Sequence, residues 1–116
     1  GHVYSCDIDK KNINIAKKFT RKNSTFITFI RDDSLNFLKN FEKKIDFLYL
    51  DSLDGQFANA SEHQLNEIKL ASKNLHQKSL VLLDDKGSKT NLSIEYMINN
   101  NFKIINETKE QVLLSY

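Results

Sequence analysis

With 116 residues, 40% of them hydrophobic and 28% charged, the chain has the make-up of one packed core and not of a disordered segment. Seventeen basic against fifteen acidic residues leave a formal charge of +2, too small to demand a polyanionic partner. No basic-then-apolar leader opens the chain and no apolar run reaches bilayer length, so the expectation is a single cytoplasmic domain over residues 1–116, with neither membrane nor nucleic acid among its partners.

Residues 3–8 form an apolar run that predicts a buried strand, with Asp9 after it as a helix N-cap. Cys6 is the only cysteine, so no internal disulfide can form, and its place in this run reads as packing. Ile13, Ala16 and Phe19 then recur at helical spacing. Lys10, Lys11, Lys17, Lys18, Arg21 and Lys22 lie along the same stretch, and without interleaved aromatic residues they read as a solvated face. The β-branched and aromatic residues of 25–30 predict a strand, and Asp33 or Ser34 caps a short helix carrying Leu35, Leu38 and Phe41. The nearly continuous apolar run 45–50 predicts a central parallel strand buried on both faces. A loop over 52–61 with Gly55 leads to a helix from near Glu62 that places Leu65, Ile68, Ser72 and Leu75 on one side. Residues 80–83 predict another central strand, ending in Asp84 and Asp85. Residues 90–100 predict a helix with Ile94, Met97 and Ile98 facing in, and 102–106 and 111–116 an antiparallel hairpin. This alternation predicts a doubly wound α/β fold on a mostly parallel sheet, closed by a C-terminal antiparallel hairpin.

In such sheets ligands bind beyond the carboxyl ends of the strands, and the acids gather there: Asp7 and Asp9, Asp32 and Asp33, Asp51 and Asp54, Asp84 and Asp85. Asp9 and Asp33 read as helix caps. Asp51 and the Asp84–Asp85 pair follow runs expected to be buried and adjacent. Carboxylates so clustered repel unless a cation or donor hydroxyls sit among them, and hard oxygen ligands suit Mg²⁺ or Ca²⁺. His63 and Glu67, one helical turn apart, read as an i, i+4 contact. Lys89, in the loop after the acid pair, is a candidate to touch substrate or act as a base. His2 and His76 carry no signal.

These segments carry a family resemblance. "VYSCDIDKKNINIAKKF" resembles the second strand and following helix of a class I S-adenosylmethionine-dependent methyltransferase, a Rossmann-like fold. The resemblance implies that Asp7 accepts hydrogen bonds from the cofactor's ribose hydroxyls. "FIRDDSLNFL" resembles the turn lying along the adenine, which implies Asp33 and Ser34 there, although Asp32 stands where glycine is usual. "KIDFLYLDSLDG" and "SLVLLDDKGSK" resemble the fourth and fifth strands of the divalent-metal-dependent O-methyltransferases of the catechol and macrocin types. That resemblance implies Asp51, Asp84 and Asp85 as Mg²⁺ ligands, Asp51 also beside the cofactor, Asp51 and Lys89 in catalysis, and a small hydroxylated molecule as acceptor. "NFKIINETKEQVLLSY" resembles the family's terminal antiparallel strands.

The family's first strand and Gly-x-Gly loop have no counterpart, so the resemblance implies an N-terminally truncated domain. It also implies that the strands ending at Asp7 and Asp51 either pair directly or have their edges covered, as in a homodimer. The competing resemblance is a receiver-like signalling domain, with Asp51 as phosphoacceptor and Asp7 and Asp9 on Mg²⁺. Against it, the next strand ends in Asp84 where Ser or Thr is wanted. A third reading is a non-catalytic α/β domain.

Overall fold

The computed structural model describes residues 1–52 and 58–116; Asp54 and Gly55 lie outside the described residues. The chain divides into two compact units, Gly1–Asn40 and Phe41–Tyr116.

The first unit runs β1 (Val3–Asp7), α1 (Lys10–Phe19), a 3-10 segment over Arg21–Phe26, β2 (Ile27–Arg31) and α2 (Ser34–Asn40). The two strands pair in parallel, Val3 against Ile27 through Asp7 against Arg31. The Asp9 carboxylate caps α1 by accepting the Lys11 N–H at 2.8 Å, and Lys17 and Lys18 fall in the last turn, where cations complement the helix dipole. The β2 strand starts two residues later than the sequence predicts, because the 3-10 segment, kinked at Asn23, runs through Phe26. Ile13 is buried on α1 as its spacing requires, but Phe19 is 83% exposed at the helix end, and Phe41 falls beyond α2. The Cys6 thiol donates to the Asp32 carbonyl at 3.2 Å. Burial, followed by the charge of Asp32, pushes the thiol up to about 11, in keeping with a packing residue and not a nucleophile.

The second unit holds β3 (Ile45–Leu50), α3 (Ala60–Ala71), a 3-10 turn Ser72–Asn74, β4 (Leu75–Asp84), α4 (Asn91–Asn99), β5 (Lys103–Glu107) and β6 (Gln111–Ser115). Its four strands lie in the order β3-β4-β6-β5, with β3 parallel to β4 and the β5–β6 hairpin antiparallel. One face of this sheet is dry: Leu48, Leu50, Val81, Leu83, Val112 and Leu114 are buried, as are Ile68 and Ala71 on α3 and Met97 on α4. Ser79 and Asn74 stitch the amino ends. The Ser79 hydroxyl donates to the Ile45 carbonyl at 2.7 Å, and the Asn74 amide donates to the carbonyls of Phe41 and Lys43 at 3.1 and 2.8 Å.

The α/β class with a parallel sheet and a terminal antiparallel hairpin is as the sequence predicts. The sheet, α3 and α4 differ in detail, Ile98 being 50% exposed where it was expected to face in. Among the described residues the strands form two sheets, β1–β2 and the four-stranded one, where a single sheet was expected. β3 is an edge strand of its sheet, and Phe47 and Tyr49 are 54% and 47% exposed where burial on both faces was expected. The inward stripe of α3 is Ala60, Gln64, Glu67, Ile68 and Ala71; of the four residues expected on one side, Leu65 is half-buried, and Ser72 and Leu75 lie past the helix end. Among the described residues no helix is long and apolar enough to cross a membrane.

Candidate functional site

The parallel register builds the site of the second unit. Tyr49 lies opposite Leu82 and Leu50 opposite Leu83, so the next residue on each strand, Asp51 and Asp84, emerges side by side at the carboxyl end. Asp85 follows with φ +60°, a left-handed conformation that a short polar side chain tolerates better than most. The chain then turns through Gly87, φ +119°, where a side chain would be strained. The Gly87 N–H donates to the Thr90 hydroxyl at 3.1 Å, and the N–H groups of Thr90 and Asn91 donate back to the Gly87 carbonyl at 3.2 Å each. This tight turn carries Lys89 back onto the strand ends.

One oxygen each from Asp51, Asp84 and Asp85 lies within 4.8 Å of the others, a donor set of the kind hard divalent ions take. A cation is already among them. The Lys89 side chain is fully buried, its Nζ 3.2 Å from Asp85 Oδ2 and 3.6 Å from Asp51 Oδ1, while those two carboxylates remain 44% and 49% exposed. Tyr49 donates its phenol to Asp84 Oδ2 at 3.2 Å. Burial, then the charges of Asp51 and Asp84, push that phenol up to about 12. Asp51 and Asp84 share a hydrogen bond and split their acidities. Burial, the bond to Asp84 and the charge of Asp84 raise Asp51, with Lys89 opposing. Burial also presses Asp84 upward, but donors outweigh it and lower the carboxyl: Asp51, the Asp85 N–H, Gln111 and Tyr49. The pair therefore holds a proton on Asp51 more readily than on Asp84, an arrangement able to take up or release one proton.

Beside it lies a polar cluster that sequence reasoning missed in part. Ser52 donates to Glu67 Oε2 at 2.9 Å, and His63 Nε2 stands 3.8 Å from the same oxygen, the i, i+4 contact expected. Gln64 and Glu67 are completely buried, as is Ser93 on α4. A glutamine on a helix face gives no sequence signal for this. His76, silent in the sequence, meets Asp46 at 2.6 Å at the far ends of the strands.

In the first unit, Asp7 closes β1. Its Oδ1 accepts the Asp9 N–H at 2.7 Å and its Oδ2 the Asn12 amide at 3.2 Å. A carboxylate oxygen can accept a second hydrogen bond beside each of these. Asp33 caps α2, Oδ1 accepting from the N–H of Leu35 at 2.6 Å and of Asn36 at 3.3 Å; Ser34 is the first residue of that helix.

Comparison with known proteins adds the family. Residues 1–86 match the family described as a methyltransferase domain. No curated protein matches the chain by sequence. Among solved structures, the rRNA methylase of Streptococcus thermophilus shares the fold at TM-score 0.70 and 14% identity, over 98% of this chain and 72% of that one. The ribosomal protein L11 methylase of Lactobacillus delbrueckii subsp. bulgaricus gives 0.72 and 18%, over 98% and 57%. The S-adenosylhomocysteine-bound methyltransferase PaMTH1 of Podospora anserina gives 0.73 and 12%, over 100% and 61%. The exclusion of nucleic acid drawn from net charge is corrected by this: the fold is that of rRNA methylases as well. Net charge sums over the whole surface and says nothing of its distribution, and Lys10, Lys11, Lys17 and Lys18 are all exposed on the one helix α1. The small-molecule acceptor and the receiver-like alternative likewise find no support in these relatives. Matched over residues 1–86 and sharing the fold of these enzymes, the chain belongs to the methyltransferase-domain family.

Proposed function

We propose that the chain takes part in S-adenosylmethionine-dependent methyl transfer to an RNA acceptor. The observation that carries this reading is the family match over residues 1–86, which spans all the strand-end acids from Asp7 to Asp85. The cofactor, when bound, supplies an electrophilic methyl group on a sulfonium. Asp7 would hold the ribose hydroxyls, and Asp33 and Ser34 would border the adenine. In the second unit Asp51, with Asp84, would take the proton released by an acceptor nucleophile, and Lys89 would hold Asp51 and Asp85 in place. No covalent bond to the protein is needed, so positioning and electrostatics supply the rate. The RNA acceptor is supported by the rRNA methylases among the structural neighbours and by the exposed lysines of α1. The finer O-methyltransferase assignment rests on the resemblance of Asp51, Asp84 and Asp85 alone.

Calorimetric titration with S-adenosylhomocysteine tests the cofactor reading. Asp7→Ala should weaken binding at least about tenfold, the worth of a charge-assisted hydrogen-bond pair. Equal affinity of wild type and variant would remove Asp7 from the site. Transfer of labelled methyl to total RNA, against a protein fraction as control, tests the acceptor.

A further inference from the structure

We infer that the ammonium of Lys89 is a tethered cation standing in the place of a divalent metal, so that the Asp51–Asp84–Asp85 cluster is complete without Mg²⁺ or Ca²⁺.

Three observations bear on this. Lys89 is 1% exposed, and its Nζ lies against Asp85 Oδ2 and Asp51 Oδ1 at 3.2 and 3.6 Å. A buried ammonium is tolerated only when paired, so the pairing is a condition of folding this turn. The turn is also built for that placement: Asp85 is left-handed, Gly87 has φ +119°, and the Gly87–Thr90 hydrogen bonds fix the hairpin that swings Lys89 inward. Finally, the remaining carboxylate has a neutral donor of its own, since Asp84 accepts the Tyr49 phenol at 3.2 Å. Among the described residues, one cation and one phenol donor thus already face the three carboxylates from within the chain. A divalent ion in contact with the same oxygens would stand against a buried ammonium that cannot withdraw into water without opening the turn, and the two cations repel. The residues present therefore do not fit a resident metal, even though the three carboxylates alone would.

The test uses the full chain and needs no methyl transfer, so it stands or falls apart from the proposed function. Thermal unfolding is followed in chelator, in millimolar MgCl₂ and in millimolar CaCl₂, with NaCl matched for ionic strength. Wild type and Lys89→Arg should show no saturable response. Lys89→Gln, with the cation removed and the oxygens left, should gain one, with a dissociation constant at least about tenfold tighter than any wild-type value, because a ligand bound only by the folded state raises the midpoint. A saturable shift in wild type would overturn the inference, as would a folded Lys89→Gln indifferent to both ions. Should Lys89→Gln be unfolded in chelator, recovery of its folded signal on adding Ca²⁺ supports the inference, and failure to recover overturns it.

Discussion

Gln64 offers a measurable contradiction inside the second unit. It is wholly buried on the stripe of α3 that also carries Ile68 and Ala71, and neither its amide nitrogen nor its amide oxygen has a hydrogen-bond partner among the described residues. A buried polar group left without a partner costs about 1–3 kcal/mol. Gln64→Met keeps an unbranched chain of similar length and removes both orphaned atoms, at no cost in helix propensity. The expected gain is therefore about 1–3 kcal/mol. For a chain of this length each kcal/mol moves the melting midpoint by roughly 4 °C, so the rise should be about 4–12 °C. Urea unfolding of wild type and variant, with midpoint and slope fitted separately, distinguishes a true gain from a change in the unfolded state. A lower midpoint for Gln64→Met would show that the amide is bonded in solution, and would sink the reasoning. If the variant gains stability yet loses affinity for S-adenosylhomocysteine, the glutamine is held for function at the expense of stability.

Asn74→Ala removes both donations to the Phe41 and Lys43 carbonyls from a side chain 6% exposed. It should cost about 2–3 kcal/mol in urea unfolding, and a loss below about 0.5 would show the bonds to be idle. The linked acids carry opposite signs. Asp51 is raised above its ordinary 3.8, so its contribution is present at low pH and is lost as pH rises through the folded value. Asp84 is lowered from 3.8, so its contribution is present above the ordinary value and is lost as pH falls through the lowered one. Melting curves across pH should therefore find Asp51→Asn more stable than wild type at neutral pH and Asp84→Asn less stable, and the same sign for both would refute the split.

The sequence was most legible where strand and register decide. The run from Ile45 to Leu50 forms the expected strand because its apolar residues have few other uses, and parallel pairing of Leu50 with Leu83 then forces Asp51 beside Asp84. Which strands neighbour which is not written in an apolar run. Phe47 and Tyr49 read as core, and nothing local says that β3 lies at the edge of its sheet. The α3 stripe was misread because counting apolar spacing favours Leu65 over Gln64 and Glu67, which only tertiary packing buries. Lys89 is legible as a candidate for the site, but its burial is not. The burial depends on a left-handed Asp85 that composition cannot report.

The sheet order carries a consequence for the timing of folding. β6 inserts between β4 and β5, so the middle of the four-stranded sheet is completed by a segment that comes after β5 in the chain. During synthesis β3 and β4 can pair as soon as α3 has formed between them, but the second edge of β4 stays open until residues 111–115 emerge. That edge runs along Leu80 to Asp84, which later meet Ser115 to Gln111. For that interval the nascent chain exposes an apolar, unpaired strand, the state most prone to pairing with a neighbour. The short Thr108–Gln111 turn shortens it: the Thr108 hydroxyl accepts the N–H groups of Glu110 and Gln111, so β5 and β6 form their hairpin locally and can dock on β4 as one piece.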